Sequence, residues 1–66
     1  MGLPNKLKEA REKAGFTQTA LSKKAHVART IVVGIENGTI DVVRTSTLTK
    51  LSDALGQKIS SIFFIE

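Results

Sequence analysis

The chain has 66 residues, no cysteine and one histidine, and its formal net charge at pH 7 is +4. Its length allows one domain, and a domain of this size buries only ~60% of the surface that its unfolded chain exposes, so its stability depends on close helix packing or self-association. Without cysteine there are no disulfides or thiolate metal sites, and a single histidine cannot build a metal site, so neither a metal nor another cofactor is expected.

The positive charge is concentrated in the first half of the chain. Residues 1–30 carry seven basic and two acidic side chains, whereas residues 31–66 carry three basic and four acidic ones. A basic half indicates a polyanionic partner, either nucleic acid or a membrane surface. No apolar run approaches the roughly 20 residues that span a bilayer. The first residues also lack the apolar stretch of a signal peptide, so the sequence predicts a cytoplasmic protein.

Two helices are predicted in the first 25 residues. The first is predicted over residues 4–14, because Pro4 suits a first helical position and Gly15 suits a helix stop. Its apolar face consists of Leu and Ala only, which does not suit binding to a membrane surface. Thr17 is a good N-cap for the second helix, and His26 falls where the chain must turn.

A third helix is predicted over residues 28–36, ending at Asn37-Gly38. The β-branched run 31–33 locally favours a strand, and an Asn-Gly pair is typical of a hairpin turn. The spacing of the apolar residues fits two packed short helices instead, and Gly34 is a poor strand residue. We therefore predict a helix here.

The second half of the chain is predicted to hold a loop, a helix and a final turn. Residues 39–44 form a loop or an extended segment. Thr45 or Ser46 would cap the fourth helix, and Gly56 would stop it. A last helical turn is predicted over residues 61–64.

Several motifs that occur in register resemble the lambda-repressor-like, Cro-type helix-turn-helix family. They are Leu7-Lys8-Glu9-Ala10-Arg11, Gly15-Phe16-Thr17-Gln18, Leu21, Lys24, Val27-Ala28-Arg29, Ile35-Glu36-Asn37-Gly38, Thr47-Leu48, Lys50-Leu51, Ala54-Leu55-Gly56 and Ile62-Phe63. The resemblance covers nearly the whole chain. It implies one all-α, compact five-helix domain over residues 1–66, with or without a short extended C-terminal tail. The helix-turn-helix would span about residues 17–36.

The resemblance implies a sequence-specific DNA-binding transcription regulator, and we expect a homodimeric repressor of a bacterial or phage operator. Double-stranded DNA is then the partner, and no small-molecule ligand is expected. A helix fits the major groove, and residues near its N-terminus reach the base edges, so the third helix is the candidate reading element. Its outward positions, which we predict to contact bases, are Arg29, Thr30, Val33 and Gly34.

The four predicted base contacts differ in chemistry. Arg29 can make two hydrogen bonds to a guanine, and Thr30 can hydrogen-bond a base or touch a thymine methyl group. Val33 offers only apolar contact, which favours thymine. Gly34 lets the backbone and the DNA approach closely.

Four further residues are candidates for phosphate contact. Gln18 lies in the first turn of the second helix, where its side chain and the free backbone N–H groups suit a phosphate. The resemblance implies the same role for Gln18, implies a phosphate contact for Asn37, and places Arg44 in a loop that borders DNA. Lys24 is a further candidate.

The resemblance also implies structural roles. Arg11 and Glu36 would form an ion pair between the first helix and the end of the third, and Phe63 would face the monomer core. The rest of the apolar tail has no obvious partner in so small a core, so we expect a dimerisation region over about residues 57–66. The predicted interface residues are Ile62, Phe64 and Ile65.

The sequence departs from the family pattern near the predicted turn. His26 stands where a glycine usually makes the turn, and Ala28 stands where Ser or Thr usually caps the reading helix. The loop after Gly38 is slightly longer than in many members and lacks their common proline.

An alternative function stays open. The outward apolar residues Ile31 and Val33 also fit a protein-interaction module on the same fold, such as an antitoxin. An enzyme is not expected, because the chain has no cysteine, a single histidine and no phosphate-binding loop, and its Ser and Thr residues have no base at a recognisable spacing.

Overall fold

The computed structural model describes residues 4–63, and these residues form five α-helices. The helices are α1 (Leu7–Lys13), α2 (Gln18–Ala25), α3 (Arg29–Asn37), α4 (Thr45–Ala54) and α5 (Ile59–Ile62). Within residues 4–63 the only β pairing is a single antiparallel bridge between Asn5 and Phe63. The all-α, five-helix fold class predicted from the sequence is confirmed. None of these helices has the length and apolar character needed to cross a membrane.

One apolar core joins all five helices. Its buried members are Leu7, Leu21, Ala25, Val32, Ile35, Leu48, Leu51, Ile62 and Phe63. Helix α2 packs against both α3 and α4, and α1 packs against α3. Burial of each large apolar side chain stabilises the fold by roughly 1.5–3 kcal/mol. The core therefore holds α2 and α3 in a fixed relation and leaves the opposite side of α3 uncovered by other helices.

The turns on either side of α2 and α3 form as the sequence predicts. The Thr17 hydroxyl oxygen accepts a hydrogen bond from the Ala20 backbone N–H at 3.0 Å, which caps α2. His26 ends α2 in the left-handed conformation, with φ 57°. Gly38 ends α3 with φ 81°, a conformation that costs a glycine nothing.

Helix α1 begins three residues later than predicted, at Leu7 instead of Pro4. Its start is held by contacts that sequence periodicity does not show. The Asn5 side-chain oxygen accepts a hydrogen bond from the Leu7 N–H at 2.9 Å, and the Lys6 N–H donates to the Ile62 carbonyl at 2.7 Å. Pairing with the segment around Phe63 therefore keeps the residues before Leu7 out of the helix.

The predicted N-caps in the second half of the chain are wrong, whereas the predicted stop of α4 is confirmed, because Gly56 follows its C-cap with φ 66°. The N-cap of α4 is Arg44, and no side chain caps that helix. The last helix begins at Ile59, two residues earlier than predicted. With this earlier start, α5 has Ile59, which packs against the core, at its first position and the buried Ile62 at its last.

The buried position of Ile62 contradicts its predicted place in a dimer interface. Its side chain is 1% exposed, and Phe63 beside it is also 1% exposed, so both belong to the monomer core. The core position of Phe63 agrees with the expectation from the resemblance. The two other predicted interface residues, Phe64 and Ile65, lie outside the described residues.

Candidate functional site

The outer face of α3, which we define as Arg29, Thr30 and Val33, lies opposite the buried Val32 and Ile35. Arg29 and Thr30 are exposed, and Val33 is half-buried. Three of the four predicted base-contact residues therefore share one surface. Together with Gly34 and two polar residues near the end of the helix they line an open groove; the lining residues are Arg29, Thr30, Val33, Gly34, Asn37 and Thr39.

The N-terminal end of α3 has unused hydrogen-bond donors. Ala28 at the N-cap makes no side-chain hydrogen bond to the helix. The backbone N–H groups of Arg29 and Thr30, and the Arg29 guanidinium, have no hydrogen-bond or ion-pair partner among residues 4–63. Exposed donors are hydrated in the free protein, so they cost little and remain available to a ligand.

The C-terminal end of α3 is held by a buried ion pair. Arg11 Nε lies 2.7 Å from Glu36 Oε2, and Arg11 Nη2 donates to Glu36 Oε1 at 3.0 Å. The two side chains are 10% and 5% exposed. Arg11 also donates to the Phe16 carbonyl at 2.8 Å. The ion pair implied by the resemblance is therefore present, and it ties α1, the α1–α2 turn and α3 together.

The surroundings of Arg11 favour its charged form. The side-chain hydrogen bond to Glu36 raises the pKa of the Arg11 guanidinium, and desolvation opposes this in part. Because the pKa of Arg11 is raised in the folded state, its contribution to stability is lost only as the pH rises through that raised value, so Arg11 keeps its charge throughout the range in which proteins are usually studied.

Gln18 joins this ion pair at the start of α2. Its Nε2 donates to Glu36 Oε1 at 3.3 Å, which holds the half-buried side chain against the end of α3. The backbone N–H groups of Gln18 and Thr19 have no partner among the described residues. The first turn of α2 therefore keeps two free donors beside the predicted phosphate ligand.

Lys8 is a basic residue on this surface that the sequence analysis missed. It is exposed, and it lines a second groove with Gln18, Val33 and Asn37, among other residues. The signal was its position one turn before Arg11 on α1, because residues three apart share a helix face. Because Arg11 contacts α3, Lys8 also lies on the side of α1 that faces α3.

The orientation of the Asn37 amide is fixed by Thr39. Asn37 Oδ1 accepts hydrogen bonds from the Thr39 backbone N–H at 3.0 Å and from Thr39 Oγ1 at 2.8 Å. A backbone N–H only donates, so the group facing it must be the amide oxygen. The Nδ2 group of this exposed side chain has no partner in the described part of the chain and presents two donors to a ligand.

Gly34 does not have the role predicted for it. It is buried, and an ideal Cβ atom at this position would lie 2.5 Å from Ile40 Cγ1. Its carbonyl accepts hydrogen bonds from the N–H groups of Thr39 at 3.0 Å and Ile40 at 3.1 Å. The missing side chain makes room for the loop after α3, so the predicted close approach of DNA to Gly34 is wrong.

The remaining predicted residues lie apart from the outer face of α3 or at its margin. Lys24 Nζ lies 5.1 Å from the centre of the Phe16 ring, and on α2 it is about 120° around the helix from Gln18. Arg44 is exposed directly before α4. Ile31 packs against the core, which leaves Val33 as the outward apolar residue of the predicted pair.

A family model described as helix-turn-helix matches residues 7–62 of the chain. The matched segment runs from the first residue of α1 to the last residue of α5. It contains the ion pair and the whole outer face of α3. No curated protein matches the chain.

Proposed function

Because the chain belongs to the helix-turn-helix family of lambda-repressor and Cro type, and is therefore a DNA-binding transcription regulator, we propose that it acts as a homodimeric repressor whose α3 lies in the major groove of its operator. The observation that carries the proposal is the outer face of α3, where Arg29, at the first position of the helix, is exposed and has no partner among residues 4–63. Residues at this end of a recognition helix reach base edges. A location in the cytoplasm, beside the DNA, is part of the same proposal.

Each residue of the outer face has a matching group on a base pair. The Arg29 guanidinium binds O6 and N7 of a guanine, a contact that contributes about 1–3 kcal/mol of discrimination against other bases. Thr30 hydrogen-bonds an adjacent base, and Val33 contacts a thymine methyl group. The mixture of one strong donor and apolar surface supports a site containing guanine and thymine.

The DNA phosphates on either side of the major groove are bound by the free donors around the ends of α2 and α3. Asn37 offers its Nδ2 group, Gln18 its remaining amide hydrogen, and Lys8 and Arg44 their positive charge. The negative charge of Glu36 is offset by Arg11 at hydrogen-bond distance, which reduces its repulsion of a phosphate. Lys24 stays a predicted phosphate contact without support from its position.

Dimerisation follows from the small size of the domain and the symmetry of typical operators. One recognition helix covers few base pairs, and two copies related by a two-fold axis read half-sites about one helical turn apart. We propose that Phe64 and Ile65 contribute to the interface. Sedimentation velocity at micromolar concentration should show a dimer for the wild type and a monomer for a Phe64→Ala, Ile65→Ala variant. A wild-type monomer, or an unchanged dimer in the variant, contradicts the proposal.

The DNA-reading proposal is tested by selecting bound duplexes from a random pool. We expect the wild type to enrich a two-fold symmetric sequence with half-sites about 10 base pairs apart. Arg29→Ala should lose the preference for guanine at one position of each half-site and keep the other preferences. A protein that enriches no sequence would favour the alternative of a protein-interaction module, such as an antitoxin, built around outward apolar residues like Val33.

The phosphate contacts are tested by the salt dependence of binding to the selected duplex. Lys8→Ala should weaken binding to all sequences alike and reduce the slope of log K against log salt by about 0.9. Lys13→Ala is the matched control, since Lys13 is an exposed lysine of the same helix that lines a different groove with Gln57 and Ser61. Equal slopes for the two variants would remove Lys8 from the interface.

A further inference from the structure

The side-chain direction of Gly34 points toward the surface that reads DNA. At about 100° per residue, position 34 lies about 160° from the buried Val32 and only about 40° from the exposed Thr30. A side chain at this position would therefore stand on the DNA side of α3, next to Thr30. Because glycine has no side chain, α3 itself places no atoms there.

Ile40 fills the place. Three of its side-chain atoms surround the position of an ideal Cβ at Gly34, with Cγ1 at 2.5 Å, Cδ1 closer still, and Cβ at 3.3 Å. Its side chain is half-buried, and within residues 4–63 it is not one of those that pack against the apolar core, in contrast to Val43 in the same loop. Ile40 therefore supplies an apolar group to the flank of the outer face.

The loop holds Ile40 in this position through its backbone. The Thr39 and Ile40 N–H groups donate to the Gly34 carbonyl at 3.0 and 3.1 Å. The Asn37 side chain adds two hydrogen bonds to Thr39. The backbone of Ile40 is thus tied directly to α3, which suits recognition of a base, because the groups that make such contacts must be held in position.

We propose that Ile40 is a further specificity-determining residue, which takes the place of a side chain at position 34 and contacts the methyl group of a thymine. Among the groups that base pairs present in the major groove, the C5-methyl group of thymine is the apolar one, so it is the partner that an isoleucine recognises. The inference rests on the proposed function, because it requires that the outer face of α3 enters the major groove.

The experiment replaces each thymine of the selected duplex by deoxyuridine, which removes only the methyl group. For the wild type we expect two sensitive thymines in each half-site, each losing about three- to fourfold in affinity, the value of one buried methyl group. At one of them the effect should disappear in an Ile40→Ala variant, and at the other in a Val33→Ala variant. The matched control is Val42→Ala, which changes an 87% exposed residue of the same loop and should preserve both effects.

The outcomes separate this inference from the function on which it rests. If every methyl effect of the wild type persists in the Ile40→Ala variant, the contact does not exist and Ile40 only anchors the loop. If the wild type selects a sequence without a second sensitive thymine, the inference is also overturned while the proposed function stands. A wild type that selects no sequence overturns both. Circular dichroism establishes that each variant is folded, and Ile40→Val, which removes only the Cδ1 atom, replaces Ile40→Ala if that variant unfolds.

Discussion

At its C-terminal end α3 is tied to three other segments, whereas at its N-terminal end no side chain among residues 4–63 ties it to another segment by a hydrogen bond. Glu36 pairs with Arg11 and accepts from Gln18, and the loop folds back onto Gly34. At the other end Ala28 provides no cap, and Arg29 is exposed with no partner in the described part of the chain. One end of the helix is thus positioned by the protein, and the other end keeps its donors for a ligand.

The contrast indicates that the contacts that stabilise the fold and the donors that remain available to a ligand lie at opposite ends of α3. A buried polar group that lacks a partner costs several kcal/mol, so the buried end must be fully bonded. An exposed donor is paired with water in the free protein, and its exchange for a base or phosphate costs little. Four substitutions, two at each end of α3 or its adjoining turn, would break or sharpen this comparison.

The largest effect is expected from Glu36→Ala, which leaves the buried Arg11 charge without its partner. We expect the free energy of unfolding to fall by about 3–5 kcal/mol. A domain of this kind has roughly 5–15 kcal/mol in total, so the variant should be close to unfolding. Urea denaturation followed by circular dichroism measures the change, with Glu9→Ala on an exposed face of α1 as the control. A loss of about 1 kcal/mol or less, as for an exposed ion pair, would show that this end is not fixed by the pair.

A smaller effect at the same end is expected from Gly34→Ala. Helix propensity alone predicts a gain of roughly 1 kcal/mol, but the new methyl group meets Ile40. Overpacking of this kind costs about 1–3 kcal/mol, so we expect a net loss. In an Ile40→Ala background the same substitution should instead stabilise the fold. A gain in stability in the wild-type background would mean that the loop carrying Ile40 moves away from the new methyl group at little cost.

At the N-terminal end of α3, Ala28→Ser should increase stability. The backbone of Ala28 is extended, with φ −58° and ψ 138°, so a serine there can accept a hydrogen bond from the free donors of the first turn. N-caps of this type contribute about 0.5–2 kcal/mol. Ala28→Val, which adds no acceptor, is the control and should show no gain. No difference in thermal unfolding between the serine and valine variants would mean that this end is already satisfied.

The smallest effect is expected from His26→Gly in the turn that precedes α3. A residue with a Cβ atom pays about 1–2 kcal/mol in the left-handed conformation, and His26 adopts it with φ 57°. Glycine loses roughly 0.5–1 kcal/mol more chain entropy on folding, so the net gain should lie between about 0 and 1.5 kcal/mol. His26→Ala keeps the steric cost and should not gain. A destabilised glycine variant would show that the imidazole itself contributes to the turn.

The features that sequence could predict depend on local rules or on motifs in register. Thr17 caps α2 through a hydrogen bond to a residue three positions away, and Gly38 ends α3 by adopting a positive φ. Both effects depend only on residues close in sequence. The Arg11–Glu36 pair joins positions 25 apart, and only the resemblance implied it. The outer face of α3 followed from helical periodicity once the resemblance had indicated which helix to consider.

The features that sequence could not predict depend on contacts between distant segments. The start of α1 is set by pairing of Asn5 with Phe63, and the burial of Gly34 is set by the path of the loop that carries Ile40. Lys24 lies over an aromatic ring that periodicity does not place beside it. In each case a contact with a segment distant in sequence decided the outcome, and local sequence rules do not include such contacts.

The bridge between Asn5 and Phe63 holds the two ends of the described chain side by side. The backbone of Lys6 is bonded to Ile62, and the Asn5 amide donates to the Ile35 carbonyl at 3.2 Å, on the buried side of α3. Separating the two ends would therefore break hydrogen bonds to both of them and to the C-terminal part of α3. Loosening of these ends is thus coupled directly to the helix that we propose to enter the major groove.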